Sequence, residues 1–138
     1  NYTGTIVERQ SIEGNWTGPG ENGNFVLEYD DRHTIPSSLA TVSGTYSTTD
    51  EFDNPDGTLT ISGSGSVSGS DSTGCIYGGN VQIIDSRYNV YRLNVTASNC
   101  GEANGAYTGL GAYDPSDSTL TFQVESADFI LTDEIAKI

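Results

Sequence analysis

One histidine, two cysteines and nineteen acidic side chains are the residues of this chain whose chemistry reaches beyond folding. His33 lies in the polar run Asp30-Asp31-Arg32-His33-Thr34. A serine nucleophile would need that imidazole as its base and a third group to orient it. The sequence has no Gly-x-Ser-x-Gly elbow to carry such a serine. There is also no His-Glu-x-x-His, so with one histidine and paired cysteines a zinc site lacks donors. Carboxylates abound, enough in number for the acid/base pair of glycoside hydrolysis, but their spacing does not show which two would converge. No catalytic residue is assigned, and we expect no enzyme.

Calcium is the sharper idea. Asp50, Glu51, Asp53 and Asp56 crowd one turn, and Asp114 and Asp117 crowd another, so hard oxygens sit where calcium takes them. Against this, Phe52 and Pro55 occupy positions at which a calcium loop needs ligands. Plain Asx-turns use the same residues. We therefore expect no cofactor, with calcium at those six carboxylates as the alternative.

The cysteines are expected to form a disulfide, Cys75–Cys100, in oxidising surroundings. They flank a hairpin that can be registered from its pattern. If paired residues sum to 174, Val81 faces Leu93, Ile83 faces Tyr91, Tyr77 faces Ala97 and Gly79 faces Val95 on one dry face. Gln82, Arg92, Asn80, Asn94, Gly78 and Thr96 then share the wet face. In this register Cys100 falls on the wrong side of Cys75. A bridge therefore predicts an irregularity at 98–100 that slides Cys100 into line.

The elements around this hairpin are strands too. Period-2 runs are predicted around Ile12–Gly18, Phe25–Tyr29, Ala40–Tyr46, Leu59–Val67, Ala106–Tyr113 and Leu120–Val124, with a weak strand before Gln10 and another near Phe129–Leu131. Ala40, Val42, Gly44 and Tyr46 share one face in this reading, as do Leu59, Ile61, Gly63, Gly65 and Val67. Turn clusters fall near 20–23, 53–56, 86–88 and 114–117, and a polar loop with a short helical turn spans Asp30–Ser38. A shift of 61 residues lays Gly44–Ile61 on Gly105–Phe122, with Tyr46 on Tyr107 and Thr58-Leu59-Thr60 on Thr119-Leu120-Thr121. The fold class is all-β: one domain over 1–138, an up-and-down antiparallel barrel of 8–10 strands, with a β-sandwich as the alternative.

Trp16, Tyr46, Tyr77, Tyr91, Tyr107 and Phe122 share inward parity. They are expected to fill a solid core, or alternatively to line a cavity for a small apolar ligand or a polysaccharide. Five basic residues against nineteen acidic ones give a net charge of −14, which repels phosphate backbones, so no nucleic-acid partner is expected. No apolar run is long enough to span a membrane as a helix. No feature of the sequence fixes an oligomeric state.

Gly14-Asn15-Trp16 resembles the Gly-x-Trp opening of lipocalin- and streptavidin-like barrels. A broader likeness covers about half the chain: Asp71-x-x-Gly74-Cys75-x-Tyr77-x-Gly79, Tyr88-Asn89-Val90-Tyr91, Ser98-Asn99-Cys100 and Asn104-Gly105-Ala106-Tyr107-Thr108-Gly109-Leu110. In these motifs the chain resembles uncharacterised secreted domains and lipoproteins of Gram-negative bacteria. The resemblance implies export to the periplasm, the medium or the outer membrane behind a signal segment not in this chain, and it carries no activity. The expected role is a secreted or envelope-tethered structural or interaction domain. The alternative is a module binding a small ligand or carbohydrate. A cavity of a few hundred Å³ would favour the second, and a filled core the first.

Overall fold

The computed structural model describes residues 1–49 and 54–138. The chain is all-β and divides into two compact units, Asn1–Asp31 and Arg32–Ile138. In the first unit β1 (Tyr2–Val7), β2 (Ser11–Gly18) and β3 (Glu21–Glu28) form an antiparallel sheet in the order β1-β2-β3. Pro19 and Gly20, with φ +84° at the glycine, make the tight link between β2 and β3. The expected 20–23 turn is thus shorter and earlier, and β3 starts at Glu21 rather than Phe25. Tyr2 pairs across from Trp16, and its ring meets Phe25 edge-on.

The second unit is a closed barrel of eight antiparallel strands: β4 (Gly44–Thr49), β5 (Pro55–Ile61), β6 (Ser66–Asp71), β7 (Ile76–Ile83), β8 (Tyr91–Ser98), β9 (Gly105–Asp114), β10 (Thr119–Glu125) and β11 (Ile130–Lys137). Each strand hydrogen-bonds its sequence neighbour, and β11 returns to β4, so the meander is up-and-down and closed. Closure removes the exposed edges that an open sheet would leave. The interior is apolar (Ile61, Leu93, Leu120 and Val124 are buried), while Thr58, Thr60, Thr96, Thr108 and Thr121 take the other parity. Close coiling requires Gly109 on β9, where a Cβ would run into the Gln123 carbonyl of β10.

The hairpin register is the predicted one: every β7–β8 pair from Ile76↔Ser98 to Ile83↔Tyr91 is present. The ladder stops at Ser98, and Asn99 takes a left-handed φ of 60°, turning the chain so that Cys100 bonds Cys75 with their Cα atoms 4.7 Å apart. The irregularity expected at 98–100 is this turn.

Two predicted strands are corrected. Ala40 and Val42 do not extend β4. They belong to α1 (Leu39–Val42), a single helical turn whose N-cap, Ser38, accepts a hydrogen bond from Thr41 N at 3.0 Å. The run from Leu59 to Val67 is two strands. Ser62 and Ser66 exchange backbone and side-chain bonds across a turn in which Gly65 has φ +86°. Gly63 is therefore in a turn and does not face inward.

The 61-residue echo holds in part. Tyr46 and Tyr107 are both buried, and each hydroxyl donates to the carbonyl four residues earlier, Val42 at 2.5 Å and Ala103 at 2.7 Å. The hairpins, however, are registered differently. Leu59 lies opposite Tyr46, but Leu120 lies opposite Tyr113 rather than Tyr107. Of the first acidic turn, Asp53 lies outside the described residues, and Pro55 and Asp56 already belong to β5.

Candidate ligand-binding cavity

Strand direction gives the barrel two unlike ends. One end gathers Gly44, Ile61, Ser66, Ile83, Tyr91, Asp114, Thr119 and Lys137, which begin or end their strands there. The chain leading into β4 closes this end. The Tyr91 hydroxyl accepts from Ser38 N and donates to Ser38 O, both at 3.2 Å. The Lys137 ammonium donates to Thr41 O at 2.9 Å and lies 4.7 Å from the Tyr113 ring centre and 5.6 Å from that of Tyr46. Asn89, which is buried, brackets Tyr113 through two bonds, Nδ2 to Tyr113 O at 2.8 Å and Tyr113 N to Oδ1 at 3.1 Å. Burial, then the neighbouring Tyr113 and Tyr91, pushes the Tyr46 hydroxyl above its ordinary pKa, so it stays a neutral donor.

Above this floor the interior is open. A cavity of about 370 Å³ runs from Ile61, Leu93 and Leu120 up to the opposite end. That size suits a small organic ligand. Its rim carries the disulfide, Thr48 and Thr49 of β4, Ala103, and Phe129, Ile130 and Leu131 at the start of β11. Among the described residues that line it, Asp56, Asp71 and Asp133 are the acidic ones, and none is Lys, Arg or His.

The three carboxylates differ in environment. Asp71 organises the β6–β7 turn: Oδ1 accepts from Thr73 N at 2.9 Å, Thr73 Oγ1 at 2.6 Å and Cys75 N at 3.1 Å, while Oδ2 accepts from the Tyr77 hydroxyl at 2.6 Å. Burial works to raise its pKa, but those hydrogen bonds from Thr73, Tyr77 and Cys75 outweigh it, and the carboxyl ends below its ordinary value. Burial and the Asp71 carboxylate raise the Tyr77 hydroxyl. Asp56 Oδ1 accepts from Thr48 Oγ1 at 2.8 Å. Asp133 Oδ1 accepts from Glu134 N at 2.8 Å, yet burial first, with the nearby Asp56 and Glu134 charges adding to it, raises this carboxyl above its ordinary value.

Of the six aromatic candidates, Tyr77, Tyr107 and Phe122 line the cavity. Tyr46 and Tyr91 are inside but belong to the sealed floor, where their hydroxyls bind the α1 region. Trp16 lies on β2 of the N-terminal sheet and not on a barrel strand, so its likeness to the opening of a lipocalin does not place it in a barrel. The acidic candidates separate likewise. Asp50, Glu51 and Asp53 lie outside the described residues. Asp56 is at the cavity, while Asp114 and Asp117 are at the closed end, bonding their own turn through Ser116 and Thr119. Asp114 also pairs with Arg32 at 2.9 Å. Bonds from Ser116, then Arg32, hold the Asp114 carboxyl down at about 2. The acidic candidates that the structure describes are thus divided between the two ends of the barrel, and no group of three metal-binding side chains occurs among the described residues. His33 stacks on Tyr88 at 4.7 Å, so its ring packs on the loop between β7 and β8.

The sequence reading passed over Asp71 and Asp133. Asp133 had a signal, since it shares the inward parity of Leu131 and Ile135, and a carboxylate within such a stripe marks either an edge or a site.

The class the fold defines is an eight-stranded up-and-down barrel, sealed at one end and hollow toward the other. No protein family, curated protein or solved structure matches the chain. Among the described residues no helix is long and apolar enough to cross a membrane. The disulfide fits an oxidising, extracytoplasmic setting.

Proposed function

We propose that the barrel binds a small, mainly apolar ligand in its interior. The observation that carries this reading is the cavity of about 370 Å³, walled by aliphatic and aromatic side chains above a hydrogen-bonded floor. A solid structural barrel would fill that space, because an unfilled apolar void of this size forfeits packing energy. The walls favour an apolar occupant over a polysaccharide, which would need several polar groups at ring-edge positions. The role is binding without catalysis. It belongs to a protein exported to the periplasm, outer membrane or medium, in keeping with the motifs shared with secreted domains and lipoproteins.

Titration with N-phenyl-1-naphthylamine, a neutral apolar fluorophore, tests the reading. Saturable enhancement of its emission is expected. Ala97→Trp, which projects an indole into the cavity from the hollow-end part of β8, should weaken it at least about tenfold while the circular dichroism spectrum stays unchanged. Linear, unsaturable uptake, or equal binding by the variant, would show that the interior is not the site.

A further inference from the structure

The interior is graded. Its lower wall is formed by Ile61, Leu93 and Leu120, and every charged side chain among the described lining residues is an acid carried above that level. Asp56 is the second residue of β5 and Asp71 the last of β6, both at the hollow end, and Asp133 is the fourth residue of β11, one inward position above Ile135, which pairs with Leu120. The barrel's cation at the inner surface, Lys137, is at the other end, occupied by Thr41 O and two tyrosine rings. From this polarity we infer that the ligand class is a cationic amphiphile, with its apolar body in the barrel and its permanent or protonated ammonium head between Asp56 and Asp133. This deepens the binding reading above and rests on it.

The carboxylates are not equivalent in this role. Asp71 has both oxygens engaged by Thr73, Cys75 and Tyr77, so it shapes the rim and supplies charge without a free acceptor. Asp56 and Asp133 both line the cavity, and each has one oxygen, Oδ1, bonded locally, with no hydrogen bond to the second oxygen among the described residues. Burial, with the Asp56 and Glu134 charges adding to it, raises the Asp133 carboxyl, as half-buried negative charge without a compensating cation does. An ammonium head lying between the two would supply that compensation in a medium less screening than water. An anionic head, such as a fatty acid carboxylate, would meet three like charges and no base. A neutral head would gain hydrogen bonds but no charge pairing. The apolar depth argues against a bare metal ion, whose hydration shell the lower walls could not replace.

Three probes of equal chain length separate the head from the tail: decyltrimethylammonium, 1-decanol and decanoate. Each is used below its aggregation limit to displace N-phenyl-1-naphthylamine from the full chain. At low ionic strength decyltrimethylammonium is expected to displace at a concentration about tenfold lower than decanol, with decanoate weakest. The double variant Asp56→Asn, Asp133→Asn should bring the ammonium and the alcohol to within about twofold of each other, with most of the change in the ammonium. Asp85→Asn with Asp117→Asn removes the same charge at the sealed end, in the β7–β8 and β9–β10 links, and should leave the full preference. Should the rim variant fail to fold, the wild-type preference itself decides, since raising sodium chloride to about 1 M should shrink it while decanol holds or gains. Equal displacement by ammonium and alcohol, or a preference that survives in a folded rim variant, overturns the cationic assignment and leaves the binding cavity standing. If the fluorophore binds but none of the three probes displaces it, the amphiphile class fails. If the fluorophore itself fails to bind saturably, both readings fall together.

Discussion

The two ends of the barrel are made from the same strands yet solve opposite problems. At the closed end Tyr46, Tyr91 and Tyr113 are buried. Two hydroxyls bind the carbonyls of Val42 and Ser38, and Lys137 binds that of Thr41. At the hollow end Tyr77 and Tyr107 also direct their hydroxyls to fixed acceptors, Asp71 and Ala103, but their rings border the cavity. The difference teaches that burial alone does not distinguish a core tyrosine from a binding-wall tyrosine. Tyr46 and Tyr107 are both buried, and what separates them is whether the far side of the ring is packed.

The largest expected effect follows from that contrast. Tyr46→Ala should cost about 3–5 kcal/mol, the range for deleting a large core side chain. Tyr107→Ala removes a ring that already borders a void and should cost about 2 kcal/mol while disturbing fluorophore binding more than Tyr46→Ala does. Urea unfolding of the two variants checks this. Equal losses would erase the distinction between floor and wall.

Next comes the rim. The Cys75–Cys100 bridge closes a segment with a sequence separation of 25. By loop entropy its removal should cost about 3.5 kcal/mol, less whatever the reduced chain recovers by relaxing. A Cys75→Ala, Cys100→Ala variant is expected to melt lower while the closed end retains its exchange protection. Loss of protection at Tyr46 and Tyr91 to the same extent would mean that the two ends do not open separately.

The smallest effect is in the pH profile, and it has opposite signs within the rim. Asp71 titrates below its ordinary 3.8 in the fold, so its contribution is present above that value and disappears as pH falls through the lower folded one. Asp71→Asn should lower the melting temperature at about pH 7, and the difference should vanish in strong acid. Asp133 titrates above 3.8 in the fold, so its ionisation opposes folding as pH rises through the raised value. Asp133→Asn should therefore raise the melting temperature at about pH 7 and have no effect near pH 3. Like signs for the two variants would show that the rim carboxylates share one environment.

The barrel was legible wherever parity had a single solution. Val81 opposite Leu93 and Ile83 opposite Tyr91 follow from keeping one face dry, because a slip by one residue would expose all of them. Parity misled where a turn imitates it. Ser62-Gly63-Ser64-Gly65 continues the alternation of Leu59 and Ile61 with small residues, and nothing in its composition marks the hairpin. The one turn of α1 is too short to develop a helical period. The strands of the N-terminal sheet alternate as well as those of the barrel, and alternation says nothing about which sheet a strand joins. This is why Trp16 was counted among the barrel aromatics. In the site, parity found Tyr77, Tyr107 and Phe122 but could not tell cavity from core, since that depends on what lies across the barrel. Asp133 does not stand out among carboxylates read from turn clusters because it lies within a strand, and Asp71, the last residue of β6, reads as part of the turn that it organises.

Among the described residues the return of β11 to β4 is the shortest pairing in the wall. Its register includes Ala136↔Ser47 and Lys137↔Tyr46, with Ile138 N adding a bond to Thr45 O, all at the sealed end. Lys137 is at once a rung of that ladder and the donor to Thr41 O. One residue therefore ties the seam of the wall to the floor of the cavity. A change that loosens the seam there loosens the floor with it, and the depth open to a ligand hangs on the same side chain that helps to close the barrel.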